Sequence, residues 1–302
     1  MATFDGETAI QYFGTLLTGE DTLITPLLPN SGLDDCCSDF EISVLANDSG
    51  EDLQNDFTTF LAQVSATTSS ASYSLYKCDE LVATFTNNDY GTNYAFNFVT
   101  GYIGYKVDWS LVLLAFGIGK YRIKLSTTDA VLGNVDRFSE TYNLRIYHPT
   151  LAEGTVRIEW VQNGTIGDLY SDKKQFLYRN LNWSNQIRLK GFFGYPEATY
   201  TKDNIKYQNG LREWVKDENE PKFKLKIKRI SASIHDLLMI EVLMSDRCSV
   251  TNYNSKSEKD YLKKDIIFDT EYKPEWKPLI SKLANVELTC IPRYNNYKKH
   301  RK

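Results

Sequence analysis

Lys222-Phe223-Lys224-Leu225-Lys226-Ile227-Lys228-Arg229-Ile230 is the stretch on which the fold class turns. Phe223, Leu225 and Ile227 occupy every second position, and Lys222, Lys224, Lys226 and Lys228 fill the places between. A period of two puts one set on each face of a strand, whereas a helix would need apolar residues three and four apart. The apolar set reads as a core face. The lysines then stand about 7 Å apart along the other face, from a rise of about 3.3 Å per residue.

The same pattern extends outward in both directions. Tyr121, Ile123 and Leu125 alternate with Lys120, Arg122 and Lys124, and Val156, Ile158 and Trp160 alternate further on. Val286, Leu288 and Cys290 repeat it near the end. Tyr73–Tyr76, Leu81–Phe85, Gly101–Tyr105, Trp109–Phe116 and Tyr142–Tyr147 read as further strands, punctuated by Gly, Asn and Asp. Asn163-Gly164 predicts a hairpin turn with Ile166 starting the return, and Asn209-Gly210 predicts a second turn. Gly117-Ile118-Gly119-Lys120 lacks the spacing of a phosphate loop and reads as a tight turn.

Two helices are expected. One spans 51–66, where Leu53, Phe57, Phe60, Leu61 and Val64 recur at helical spacing behind a Ser49 cap. The other lies near 234–244, with Ile234, Leu237, Leu238 and Leu243 on one side. The expectation is a mainly β chain of two sandwich- or barrel-like domains with a few short helices. Residues 1–149 form an acidic N-terminal arm (1–39) plus a β-rich domain. Residues 150–302 form a basic β-rich domain, with His148-Pro149 at the boundary. A length of 302 residues suits two domains.

Composition excludes more than it assigns. Hydrophobic residues at 42% and charged residues at 25% fit an ordinary globular chain and rule out a disordered or collagenous one. The net charge of −4 hides a division: residues 1–104 carry Lys77 against 15 acids, and residues 105–302 carry 34 bases against 24 acids. Such a split speaks of contacts, not of fold. The longest apolar run, Leu111–Ile118, is too short for a membrane span of about 20 residues, and no basic and apolar leader precedes it. Five cysteines with no C-x-x-C pair argue against zinc and predict reduced thiols without an intrachain disulfide.

Catalytic patterns are lacking. His148, His235 and His300 are not paired by spacing with any Ser or Cys nucleophile, and H-E-x-x-H does not occur. Asp34, Asp35, Asp39 and Glu41 lie close together, yet acid pairs abound in any acidic segment. No enzyme activity and no cofactor or metal is expected. The lysine stripe has three readings, in order: an edge strand or solvated face, a protein contact, and a phosphate contact. No aromatic shares the lysine face, so direct nucleic-acid binding is not expected. The interface candidates are Lys222, Lys224, Lys226 and Lys228, with Arg293, Lys298, Lys299 and Arg301 of the basic tail.

Three stretches carry a resemblance: Gly154–Trp160 with Asn163-Gly164; Asn182-Trp183 through Ile187-Arg188-Leu189-Lys190-Gly191-Phe192-Phe193-Gly194; and Leu237–Asp246 followed by Val250–Asn254. Over residues 100–302 the chain resembles structural proteins of the tail gene clusters of tailed phages infecting Bacteroidetes. The resemblance implies a virion component made in the host bacterial cytoplasm: a ring-forming distal tail, baseplate or neck protein. Its implied partners are further copies of itself and other tail or neck proteins. Two alternatives remain, a glycan-binding β-sandwich at a tail tip and a polysaccharide depolymerase.

Overall fold

The computed structural model describes residues 41–47, 55–63, 68–85, 88–97, 102–129, 133–162, 183–194, 197–210, 212–230, 232–253, 263–269, 274–276, 284–293 and 298–300. The chain is mainly β. In the N-terminal half, β1 (Glu41–Ala46), β9 (Thr141–Ile146), β7 (Gly119–Asp129), β3 (Thr68–Lys77) and β4 (Glu80–Phe85) line up in that order, with β8 (Gly133–Phe138) also on β7. A second sheet has the order β2 (Phe57–Gln63), β6 (Tyr102–Asp108), β5 (Gly91–Asn97). Aromatic rings fill the space between them. Phe85 stacks on Tyr105 at 4.4 Å, and Phe60 meets Tyr142 edge-on at 5.8 Å. Such contacts add about 0.5–1.5 kcal/mol each beyond their burial.

The C-terminal half closes on itself. β13 (Arg212–Ile230), β11 (Trp183–Phe193), β10 (Thr155–Gln162), β14 (Arg247–Asn252), β15 (Lys263–Phe268) and β17 (Ala284–Pro292) are antiparallel neighbours, and β17 pairs back to β13. Closure into a six-stranded barrel leaves these strands no open edge. Phe223, Leu225, Ile227, Val250, Val286 and Leu288 are buried, as the alternation requires. The first part of β13 runs beyond the barrel and pairs with β12 (Glu197–Lys206) and β18 (Lys298–His300). The β12–β13 turn falls at Asn209-Gly210, with Gly210 at φ +83° and its N–H on Tyr207 O at 2.9 Å, as read from the sequence. β16 (Pro274–Trp276) flanks β17.

Four expectations are corrected. The helix expected over 51–66 is overturned in its described part, 55–63, which contains strand β2. Thr58, Thr59 and Phe60 are buried in succession because both faces of this strand are covered, which erases the period of two. Trp109–Phe116 is helix α1, not a strand. Asp108 caps it, accepting from Ser110 N–H at 2.9 Å, and Gly117 ends it at φ +75°. The lysine-bearing part of β13 is no edge strand, since β11 and β17 flank it. Cys78 is disulfide-bonded, contrary to the expectation of five reduced thiols, and its partner lies outside the described residues.

Other expectations fare differently. The Asn163-Gly164 turn and the Ile166 return lie outside the described residues, and β10 is paired on both edges by β11 and β14. The predicted C-terminal helix is present as α3 (Ala232–Leu237) continued by a π-helical turn, Leu238–Val242. Short helix α2 (Pro149–Ala152), capped by His148, joins the two halves. No described helix is long and apolar enough to cross a membrane.

Candidate functional site

The strongest concentration of buried charge lies where the halves meet. In the register of β10 and β11, Arg157 stands directly opposite Arg188. Two like charges facing each other across a ladder repel unless an acid lies between them. Asp56, just before β2, supplies it. Its carboxylate accepts from Arg188 Nε at 2.7 Å and Arg188 Nη2 at 2.8 Å, and Arg157 Nη1 lies 3.6 Å away. The same carboxylate accepts from Leu45 N–H at 2.8 Å and Gln186 Nε2 at 3.2 Å. All three charged side chains are buried.

Neighbouring groups extend the junction. Asn185 Oδ1 accepts from Thr59 N–H at 2.9 Å and Asn185 Nδ2 donates to Thr59 O at 3.1 Å, so a side-chain amide bonds the β2 backbone as a neighbouring strand would. Thr59 Oγ1 donates to Ser184 O at 2.6 Å. The Arg188 guanidinium lies over the Tyr253 ring at 4.4 Å. Burial opposes its charge, but Asp56 outweighs burial and holds the guanidinium above its ordinary value. The Asp56 carboxylate and the Arg188 guanidinium meet fixed partners of the same chain, so the arrangement orients two sheets.

A second buried acid is bonded to barrel strand β10. Glu241, on the π-helical turn, accepts from Trp160 Nε1 at 3.2 Å. Burial pushes its carboxyl well above the usual carboxylate range, with the indole hydrogen bond opposing. Tyr142 is likewise pushed up, first by burial and then by the charges of Glu140 and Glu241. The Cys248 and Cys290 thiols are buried, free and unreactive in character: burial lifts Cys290 to about 12 and Cys248 well above its ordinary value. Among the described residues no group of His, Cys, Asp and Glu could hold a metal ion.

The residues read from the sequence as an interface are dispersed. Lys222 pairs with Asp269 at 2.9 Å and Lys226 with Glu287 at 3.0 Å, both acids of the same half. Lys226 and Glu287 are register partners on β13 and β17. Lys224 is half-buried and Lys228 exposed. Arg293 donates from Nη1 to Asp246 O at 2.7 Å. Lys298 and Lys299 fall on β18, in register with Glu218 and Asp217 of β13. Arg301 lies outside the described residues, as do Asp34, Asp35 and Asp39. Of the four β13 lysines, Lys226 and Lys228 are exposed and Lys222 and Lys224 half-buried, and β18 of the tail pairs with an earlier part of the same strand.

Sequence reasoning missed Asp56, Arg157, Arg188, Asn185 and Gln186. Arg157 and Arg188 alternate with core residues and read as solvent-facing. The covering by the N-terminal half, which buries both faces, has no local signature. No protein-family profile matches the chain, and no curated protein matches its sequence.

Proposed function

We propose that the chain is a structural component of a tailed-phage virion, a ring-forming distal tail, baseplate or neck protein, made in the bacterial cytoplasm and without enzymatic activity. One observation carries the reading. The three stretches behind the resemblance are neighbours in space: β10, β11 and β14 form one continuous part of the barrel wall, and the π-helical turn is tied to it through Glu241 and Trp160. The stretches behind the resemblance therefore belong to the scaffold of the barrel. The buried Asp56 junction supports the same reading, because a ring subunit must keep its two halves in fixed orientation.

Five of the largest described aromatic residues are unavailable to a glycan. Trp109, Trp160, Tyr105, Tyr121 and Tyr142 are fully buried and form the core, not a platform for sugars.

Mass photometry and negative-stain imaging of the purified full chain test the proposal. Closed rings of one size are expected, and a monomer at every concentration would overturn it. Reversing Lys222, Lys224, Lys226 and Lys228 to Glu should weaken ring formation, most at low salt, since exposed pairs contribute about 0–1 kcal/mol each and are screened over about 3 Å at 1 M. A variant reversing only Lys222 and Lys226 separates the effect of their internal pairs from that of the contact. Rings unaffected by all four changes would remove the lysine face from the interface.

A further inference from the structure

The two sheets of the N-terminal half are finished differently at their two sides. Toward the barrel, the outer strands β1 and β2 are sealed. Leu45 N–H of β1 donates to Asp56, and Thr59 of β2 bonds Asn185 and Ser184. The other side ends in β4 and β5, the last strands of their sheets, which only residues 86–90 connect. Phe85, at the end of β4, meets Tyr90 at 5.8 Å. Among the described residues each strand is paired along one edge alone, β4 by β3 and β5 by β6.

Backbone chemistry states what the open edge requires. Successive residues of a strand turn their N–H and C=O groups to opposite edges, so part of the β4 backbone faces away from β3. No described residue bonds those groups. Another extended chain offers donors and acceptors at the matching spacing. Proteins ordinarily guard such an edge with charge or proline. Three other strands with one described partner follow that rule: β8 carries Asp136 and Arg137, β12 carries Lys202 and Lys206, and β16 begins with Pro274. After Glu80, β4 reads Leu81-Val82-Ala83-Thr84-Phe85, with neither, and Leu81 is 52% exposed. β5 has neither along its whole length.

We propose that this side is a two-fold contact with a second copy, in which β4 pairs antiparallel with β4 and joins the sheets of both copies into one. The strand is complementary to itself in that direction. Centred between Val82 and Ala83, the pairing sets Leu81 opposite Thr84 and Glu80 opposite Phe85, so the two carboxylates do not face each other. The faces match as well. The register of β3 and β4 skips Val82, pairing Leu81 with Tyr76 and Thr84 with Ser74. Tyr76 and Ser74 are two residues apart on one strand and share a face, so Leu81 and Thr84 share it too. Both are exposed. A two-fold contact is isologous and closes on itself. It therefore does not build the ring proposed above; it pairs single copies or whole rings, and stands whether or not rings form.

Charges placed at positions 81 and 84 test the register. L81K/T84K sets Lys opposite Lys twice across the contact, whereas L81K/T84E sets Lys opposite Glu twice. Sedimentation velocity of the full chain over a range of concentrations reads the pairing, and hydrogen exchange reads the amides of Leu81–Phe85. The parent should pair as concentration rises, with those amides gaining protection in step. L81K/T84K should weaken pairing about tenfold or more and lose the protection, leaving single rings where rings form. L81K/T84E should stay within about threefold of the parent. An equimolar mixture of L81K/T84K and L81E/T84E should restore pairing that neither shows alone. Thermal unfolding of the dilute chains should be alike, since both side chains are exposed. Equal pairing by L81K/T84K and L81K/T84E overturns the proposal, as does a parent that never pairs. Protection of Leu81–Phe85 that is independent of concentration also overturns it, because the edge would then be covered within one chain.

Discussion

Asp56→Ala strikes the junction at its centre. The substitution leaves Arg188, with a side chain 1% exposed, and Arg157, at 8%, buried without their counter-ion. Removing one partner of a buried pair costs about 3–5 kcal/mol, most of it the charge left behind. The Leu45 N–H loses its acceptor as well, a further loss of about 1–3 kcal/mol if no water reaches it. A total near 5 kcal/mol is expected. Unfolding entropy of about 2.1 cal/mol/K per residue gives roughly 0.6 kcal/mol/K for a chain of this length, so Tm should fall by about 8 °C. Differential scanning calorimetry of the parent, Asp56→Ala, Arg188→Ala and the double variant measures it. The double variant should lose less than the two singles together, by up to about 3 kcal/mol, because each single already destroys the same contact. Asp56→Asn keeps an acceptor for Leu45 N–H and should fall between. A Tm drop under about 2 °C for Asp56→Ala, or strict additivity in the cycle, would refute the view that this pair joins the halves.

Glu241→Gln should alter the pH dependence of stability. The folded carboxyl is raised above its ordinary 4.5, so the parent is unpenalised below that pH and loses stability as pH rises from about 4.5 through the folded value. Gln removes the loss, so denaturant midpoints should differ little at pH 4.5 and favour the variant increasingly at pH 7–9; parallel curves would contradict it. Gly191→Ala should cost about 1–3 kcal/mol, because its Cβ would lie 2.6 Å from Lys226 O on the neighbouring barrel strand, and chemical denaturation reads the change. Asp108→Ala should cost about 1 kcal/mol by uncapping α1, visible in the same assay, and Asp108→Ser should recover most of it.

The barrel strands were legible because each has one face inside and one outside. Phe223, Leu225 and Ile227 are buried while Lys226 and Lys228 are exposed, so the period of two survives. Legibility failed wherever a second layer covers the outer face. On β2, Thr58 accepts from Trp109 Nε1 at 2.9 Å and Thr59 bonds Asn185 and Ser184, so polar residues are as buried as Phe60. With the alternation gone, the spacing of the apolar residues that remained mimicked a helix. α1 failed for a different reason. Its apolar residues pass all around it, and Leu114 at 63% exposed is as hydrophobic as buried Val112 and Leu113. Only the Asp108 cap and the Gly117 stop, with eight residues between them, distinguish it from a buried strand. The junction was illegible in principle, since Asp56 and Arg188 are 132 residues apart and neither carries a local pattern.

The division of charge between the halves takes on a different meaning once these contacts are placed. It suggested acids of one copy meeting bases of the next. Part of that meeting already happens within one chain: Asp56 of the acidic half is held by Arg157 and Arg188 of the basic half. Within the basic half, Asp269 and Glu287 pair with Lys222 and Lys226, and β18 brings Lys298 and Lys299 into register with Glu218 and Asp217. The charge available for contacts outside the chain is therefore smaller than the totals imply. The arm contributes seven acids in residues 1–40, while Lys228 remains on the exposed face of β13. Barrel closure pushes in the same direction, because strands paired on both edges cannot extend into a neighbour by backbone hydrogen bonds. In the ring proposed above, contacts between copies would use side-chain faces or the strands outside the barrel.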